Sequence, residues 1–174
     1  MVGAGEGVTG NKYIGARLGY RTGPFNVSAA VGNTAKTGAM LDDLTTTSLG
    51  ASYKIGEATL IGGYEKAKYS TRDRTLINIG VKMTVGNGEI SAQVAQTSGT
   101  GAPATPDQYD AKLFGMGYEH SLSKRTVLYA TVGRIDNGGT SVTGGTLTTT
   151  GNGPSGMKRG ETSSGYQFGM RHSF

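Results

Sequence analysis

The stretch "GYQFGMRHSF", residues 165–174, closes the chain. Tyr166, Phe168, Met170, His172 and Phe174 fall on one parity, and Gln167, Gly169, Arg171 and Ser173 on the other. A strict period of two is the mark of a β-strand with one apolar and one polar side. The apolar side must meet either a protein core or lipid, and the rest of the sequence decides which.

Composition argues against a deep core. Gly accounts for 31 of the 174 residues and hydrophobic types for only 35%, whereas soluble domains average about 7% Gly and roughly 45–50% apolar residues. A polar lumen enclosed by an apolar outer belt would satisfy both figures. The chain has no cysteine, so disulfides, zinc-thiolate sites and thiol nucleophiles are excluded. No run approaches the 18 or so apolar residues of a transmembrane helix. The opening "MVGAGEGVTGNK" lacks the basic start and apolar run of a signal peptide. The net charge of +5 is spread along the chain without a basic block, so nucleic acid is not an expected partner.

The same alternation recurs along the whole chain. It predicts nine strands near 12–23, 24–34, 45–56, 57–69, 74–86, 88–97, 109–122, 125–137 and 164–174. Transmembrane strands need about 9–11 residues because they cross the bilayer at a tilt. Four connections are tight ("TGPF", "IGEA", "VGNGEI", "LSKRT"). The others, "TAKTGAMLDD", "STRDR", "SGTGAPATPDQ" and the Gly/Thr-rich tract 138–163, are longer or more polar. Short turns at one end and long loops at the other are the layout of an outer-membrane barrel. The fold class is therefore all-β: an antiparallel transmembrane β-barrel meander of about nine strands forming one domain, residues 1–174.

Parity assigns the faces. Ile77, Ile79, Val81, Met83 and Val85 oppose Asn78, Gly80, Lys82 and Thr84. A lipid-facing Lys near the midplane costs about 2–4 kcal/mol, so Lys82 belongs in the lumen. The same logic puts Arg17, Arg21, Lys54 and Arg171 on the pore side as basic residues, with Glu65 and Glu119 as acidic counterparts. A basic lining favours anions in a confined pore; the competing reading is that these residues only keep the wall wetted. Aromatics near strand ends (Tyr20, Phe25, Tyr53, Tyr64, Tyr118, Phe174) fit interfacial girdles.

Other motifs carry little chemistry. His120 and His172 lie on different strands without a third ligand, so neither a metal nor a cofactor is expected. Ser121 beside His120 has no acid to orient the ring as a triad requires, so no enzyme is expected. "GNG" at 86–88 lacks the helix and Lys-Ser/Thr pair of a phosphate loop; it reads as a hairpin turn signalled by Asn87-Gly88. Asp42 and Asp43 read as a solvated loop rather than a cation site.

On these residues the chain resembles a known family. "NKYIGARLGYRTGPFNVSAAVG", "LSKRTVLYATVGRIDN" and "GMRHSF" look like the C-terminal half of the general porins of β-proteobacteria, which are trimeric, sixteen-stranded outer-membrane channels. The resemblance implies passive diffusion of small hydrophilic solutes and ions across the Gram-negative outer membrane. It also implies a homotrimer at full length, contact with outer-membrane lipid and lipopolysaccharide, and delivery by the barrel-assembly machinery. The assembly signal would fall on Tyr166, Phe168, Met170 and Phe174. Full members are about twice as long and carry a constriction loop absent here, so the chain reads as a C-terminal fragment or a split or truncated product. The alternative is a non-channel barrel acting as adhesin or membrane anchor, which a plugged lumen would distinguish.

Changing Phe174 to Ser is expected to lower outer-membrane insertion, read as loss of the heat-resistant folded form in membrane fractions. Unchanged insertion would remove the terminal aromatic from the assembly signal.

Overall fold

The structure, a computed structural model, describes residues 2–4, 12–36, 42–100, 110–138 and 160–174. Its strands are β1 (Val2–Ala4), β2 (Tyr13–Thr22), β3 (Phe25–Thr34), β4 (Leu44–Ile55), β5 (Ala58–Tyr69), β6 (Arg72–Val85), β7 (Gly88–Thr100), β8 (Ala111–Ser121), β9 (Thr126–Asn137) and β10 (Thr162–His172). They form a single 10-stranded sheet in sequence order. Every neighbour is antiparallel and in unbroken register. β1 and β10 are not paired, so the sheet is open.

The nine expected strands are all present, with β1 as a short addition that three residues of alternation were too few to announce. Several boundaries move, and β10 (Thr162–His172) starts and ends two residues earlier than expected, leaving Ser173 and Phe174 beyond the strand. β7 runs on to Thr100, and β6 begins at Arg72. "STRDR" is therefore not an extended loop: Tyr69 pairs with Arg72 across a two-residue turn. The interiors of the three other long connections, and Tyr109, lie outside the described residues.

Three of the four tight turns share one construction, and the fourth, between Ser121 and Thr126, leaves four residues. Thr22 pairs with Phe25, Ile55 with Ala58 and Val85 with Gly88, each leaving two central residues. The first is always glycine with positive φ: Gly23 at 51°, Gly56 at 57° and Gly86 at 57°. A left-handed first position followed by a right-handed second matches a type II′ turn, whose twist suits a hairpin. Pro24, with its fixed negative φ, fits the second position. Near 86–88 the central pair is thus Gly86-Asn87, not Asn87-Gly88. Register placed it there: Gly88 already pairs with Val85 and His120. In the β5–β6 turn the first position is Ser70, at φ 54°.

The two faces differ sharply. One cross-strand row from β10 to β3 reads Tyr166, Val132, Met116, Ala92, Val81, Leu60, Tyr53, Phe25. One residue further along β10, on the opposite face, the row reads Gln167, Thr131, Gly117, Ser91, Lys82, Thr59, Lys54. The apolar face is not a core. Tyr166 is 83% exposed, Phe168 80% and Leu18 80%. Among the described residues the only buried apolar side chains are Ala111 and Ile135, both on the polar face. A belt of exposed apolar side chains across nine strands is what lipid would cover.

Gly56→Ala is expected to cost about 1 kcal/mol, because an L side chain resists the left-handed region. Ser70→Gly, at the equivalent position, is expected to be neutral or slightly stabilising. Urea unfolding of the detergent- or lipid-embedded protein measures both. A costless Gly56→Ala would mean that the turn does not hold its positive φ.

Candidate functional site

The polar face is built from alternate positions of every long strand. Its most frequent residue is glycine. Of the fourteen glycines within β2–β10, all but Gly62 and Gly88 lie on this face. Glycine leaves the wall low and gives rings a flat place to lie. The Tyr13 ring rests across Gly15 and Gly32, where an added Cβ at either position would strike it. Tyr129 lies over Gly169, where a Cβ would stand 2.7 Å from the phenol oxygen. Gln167 Nε2 donates to Tyr129 Oη at 3.2 Å and helps to hold the ring there.

All seven charged residues expected to line a lumen share this face. Arg17 opposes Ala30, then Ser48 and Glu65; Arg21 opposes Asn26 and then Ser52. Lys54 and Lys82 share the row described above. Glu119 pairs across the strands with Glu89 and Tyr129. Arg171 opposes Val127, which opposes Ser121. Three further charges on the face escaped the sequence reading. Arg72 lies before the expected start of the strand at 74, Arg74 stands at its first expected position, and Glu89 follows the turn directly. Counting back by twos from Lys82 reaches both arginines.

These charges are partly neutralised. Lys82 Nζ lies 2.7 Å from Glu89 Oε1, and Arg171 Nη2 lies 3.3 Å from Glu119 Oε2. Both pairs are half exposed and each contributes about 0–1 kcal/mol at most. Their effect is on the field rather than on stability. No ion pair among the described residues engages Arg17, Arg21, Lys54, Arg72 or Arg74, and the one carboxylate left on the face is Glu65. On strand geometry Arg17 and Arg21 are roughly 13 Å apart. Lys82 is three residues from the end of β6, not at its middle.

Two shallow troughs lie around the middle of this face. One, of about 340 Å³, carries Asn78, Lys82, Ser91, Gln93 and Thr131 above Gly80, Gly115 and Gly117. Beside it, a second of about 490 Å³ carries Gln93, Thr131 and Gln167 above Gly133 and Gly165. Small uncharged hydrogen-bonding groups on a glycine floor make a wetted wall without a tight binding pocket.

The remaining candidates sit elsewhere. His120 and His172 are on the apolar face near the short-turn end. The His120 ring nitrogen Nδ1 is 3.1 Å from Tyr118 Oη. That of His172 is 2.9 Å from Thr126 Oγ1, and the ring meets Phe174 edge-on at 4.9 Å. Tyr166, Phe168 and Met170 lie along the same face of β10. Asp43 accepts from the Lys36 backbone N–H at 2.9 Å, and Asp42 from that of Asp43 at 3.0 Å. Their carboxylates thus organise the loop backbone.

Residues 2–140 match the family described as Gram-negative porin. Outer membrane porin protein 32 of Delftia acidovorans is 31% identical over 171 residues, covering 94% of this chain and 46% of the relative. Among solved structures, the anion-selective porin from Comamonas acidovorans superposes with a TM-score of 0.76 at 29% identity. That match covers 94% of this chain and 49% of the other. OmpT of Vibrio cholerae, solved in its trimer form, gives a TM-score of 0.58 at 18% identity over 72% of this chain and 46% of that one, a likeness of fold. The chain spans about half the length of the relatives it matches.

Gly32→Val is expected to drive the Tyr13 ring off the wall and to cost roughly 1–3 kcal/mol. In a Tyr13→Ala background the same change should cost at least about 0.5 kcal/mol less, because the two are in contact. Unfolding free energies of the four-member mutant cycle provide the check. Strict additivity would mean that the ring does not rest on Gly32.

Proposed function

Because this chain belongs to the Gram-negative porin family and resides in the outer membrane, we propose that it supplies about half of the wall of a passive diffusion channel for small hydrophilic solutes, with a preference for anions. The observation that carries the preference is the charge count on the polar face. Seven basic residues (Arg17, Arg21, Lys54, Arg72, Arg74, Lys82, Arg171) face three acidic ones (Glu65, Glu89, Glu119). Removing the two ion pairs leaves five against one.

The mechanism is electrostatic and needs no binding step. A fixed positive potential on a confined, wetted wall raises the local concentration of anions and lowers that of cations. A pore shields its wall from bulk solvent, so these charges are screened less than charges on an open surface. The low glycine wall adds width. The solved relative whose name describes it as anion-selective supports the same reading. Channels of this family act by diffusion rather than by catalysis. In the assembled protein a homotrimer is the arrangement we expect, and the apolar terminal strand (Tyr166, Phe168, Met170, Phe174) serves as the assembly signal.

Arg17→Gln combined with Arg21→Gln is expected to move the reversal potential of the assembled pore toward cation selectivity under a KCl gradient in planar bilayers. Glu89→Gln, which uncovers Lys82, should move it the opposite way. Both shifts should shrink at high salt. A cation-selective wild-type pore, or a reversal potential indifferent to all three changes, would reduce these residues to wetting the wall.

A further inference from the structure

The basic residues of the polar face that stand outside ion pairs, Arg17, Arg21, Lys54, Arg72 and Arg74, all belong to β2, β4 and β6. From β7 to β10 the same face differs. Among the described residues, each charged group that these strands place there is in an ion pair: Glu89 with Lys82 of β6, and Glu119 with Arg171. The wall therefore has a basic side, which acts through its field, and a side without free charge.

Glycine sets the shape of the uncharged side. One cross-strand row reads Gln93, Gly115, Gly133, Gly165, so Gln93 alone rises from its floor. The next row holds Ser91, Gly117, Thr131 and Gln167, and the one after it sets Tyr129 beside Gly169. These rows carry the two troughs of about 340 and 490 Å³, and Gln93 and Thr131 border both. Gln93 and Gln167 are three strands apart, roughly 14 Å at the usual strand spacing. Among the described residues no hydrogen bond engages the Gln93 side chain, so its amide offers two donors and an acceptor. Gln167 directs one N–H to Tyr129 Oη and keeps its carbonyl. The half-buried Tyr129 ring rests one face on the Gly169 backbone and turns the other to the lumen.

Groups that both donate and accept, beside an aromatic face and away from free charge, match an uncharged solute rich in hydroxyls. A sugar ring brings hydroxyls that donate and accept and a C–H face that packs on an aromatic ring. An amino acid or peptide would bring charges that find no free partner on these strands. We propose that the β7–β10 wall carries a low-affinity subsite for neutral oligosaccharides, with Gln93 and Gln167 bonding hydroxyls and Tyr129 beneath a sugar ring. The troughs are open on one side, which keeps affinity in the millimolar range and lets the solute move on. The inference rests on this face lining a lumen but not on the anion preference.

The test is conductance block of the assembled pore in planar bilayers by maltotriose. A polyethylene glycol of equal hydrodynamic size is the non-binding reference, and heat-resistant gel migration confirms that each variant is folded. Maltotriose should reduce conductance saturably, with half-saturation at millimolar concentration, whereas the polymer should not saturate. Gln93→Ala should raise the half-saturation concentration about threefold, and Gln93→Ala with Gln167→Ala about tenfold, the scale of one and two ordinary hydrogen bonds. Tyr129→Leu should raise it as well. Ser52→Ala removes a hydroxyl from the basic side and should change it by less than about 1.5-fold, within the small end of one such bond. Equal block by sugar and polymer, or no block, would overturn the subsite. So would an unchanged half-saturation in the folded double variant, or an equal loss in Ser52→Ala. A pore that shows the block without anion preference would support the subsite and sink the selectivity reading; anion preference without the block would sink the subsite alone.

Discussion

Inside hydrocarbon, every backbone N–H and C=O must find its partner within the protein, because an unmet group costs several kcal/mol and no water is present to relieve it. The rest of this structure depends on that constraint. It explains why neighbouring strands pair in sequence order without a crossover, and why the register runs unbroken through each hairpin. It explains why three of the four turns at one end contain only two residues, with glycine placed where φ must be positive. Side-chain burial, which stabilises a soluble domain, contributes little here. Among the described residues the buried apolar side chains number two.

With the backbone settled, the side chains are free to differ completely between the two faces, and they do. Large apolar groups point outward, where lipid covers them. Glycine collects on the other side. Wrapping a sheet brings the side chains on its inner face together, so small residues there ease curvature while keeping the lumen wide. The superposition on a solved porin, over 94% of the chain at a TM-score of 0.76, shows that the sheet has the curvature of such a wall. Two tyrosines that project inward, Tyr13 and Tyr129, lie on glycine rather than standing into the opening. Charge then acts across the space that glycine leaves clear.

Much of this was legible because period-two alternation is a local signal that tertiary context cannot easily override in a two-faced sheet. One charged residue, Lys82, fixed the parity of its strand, and the alternation within each other strand placed Arg17, Lys54 and Arg171. What escaped was set by pairing partners rather than by local pattern. "STRDR" is polar enough to read as a loop, yet Arg72 and Arg74 are strand residues because β5 is long enough to hold them. Asn87-Gly88 is a strong hairpin signal, but the ladder to β8 claims Gly88 and shifts the turn by one residue. The ion pairs were invisible for a related reason. Lys82 and Glu89 are neighbours only because the hairpin folds one back beside the other. β1 is too short to carry a periodic signal and exists through its pairing with β2.

The same backbone constraint bears on the two unpaired edges. At each edge of an antiparallel sheet roughly every second residue directs both its N–H and its C=O outward. Along the 11 residues of β10 that would strand many polar groups in lipid. Further strands must therefore complete both edges in the membrane. Their number is constrained by direction. Nine antiparallel steps separate β1 from β10, so the two edge strands run opposite ways. An antiparallel wall can close between them only through an even number of additional strands, whereas a count that began at β2 would have demanded an odd one. Relatives of about twice this length have chain enough to provide such a set. The three residues of β1 thus decide the parity of everything that closes the wall.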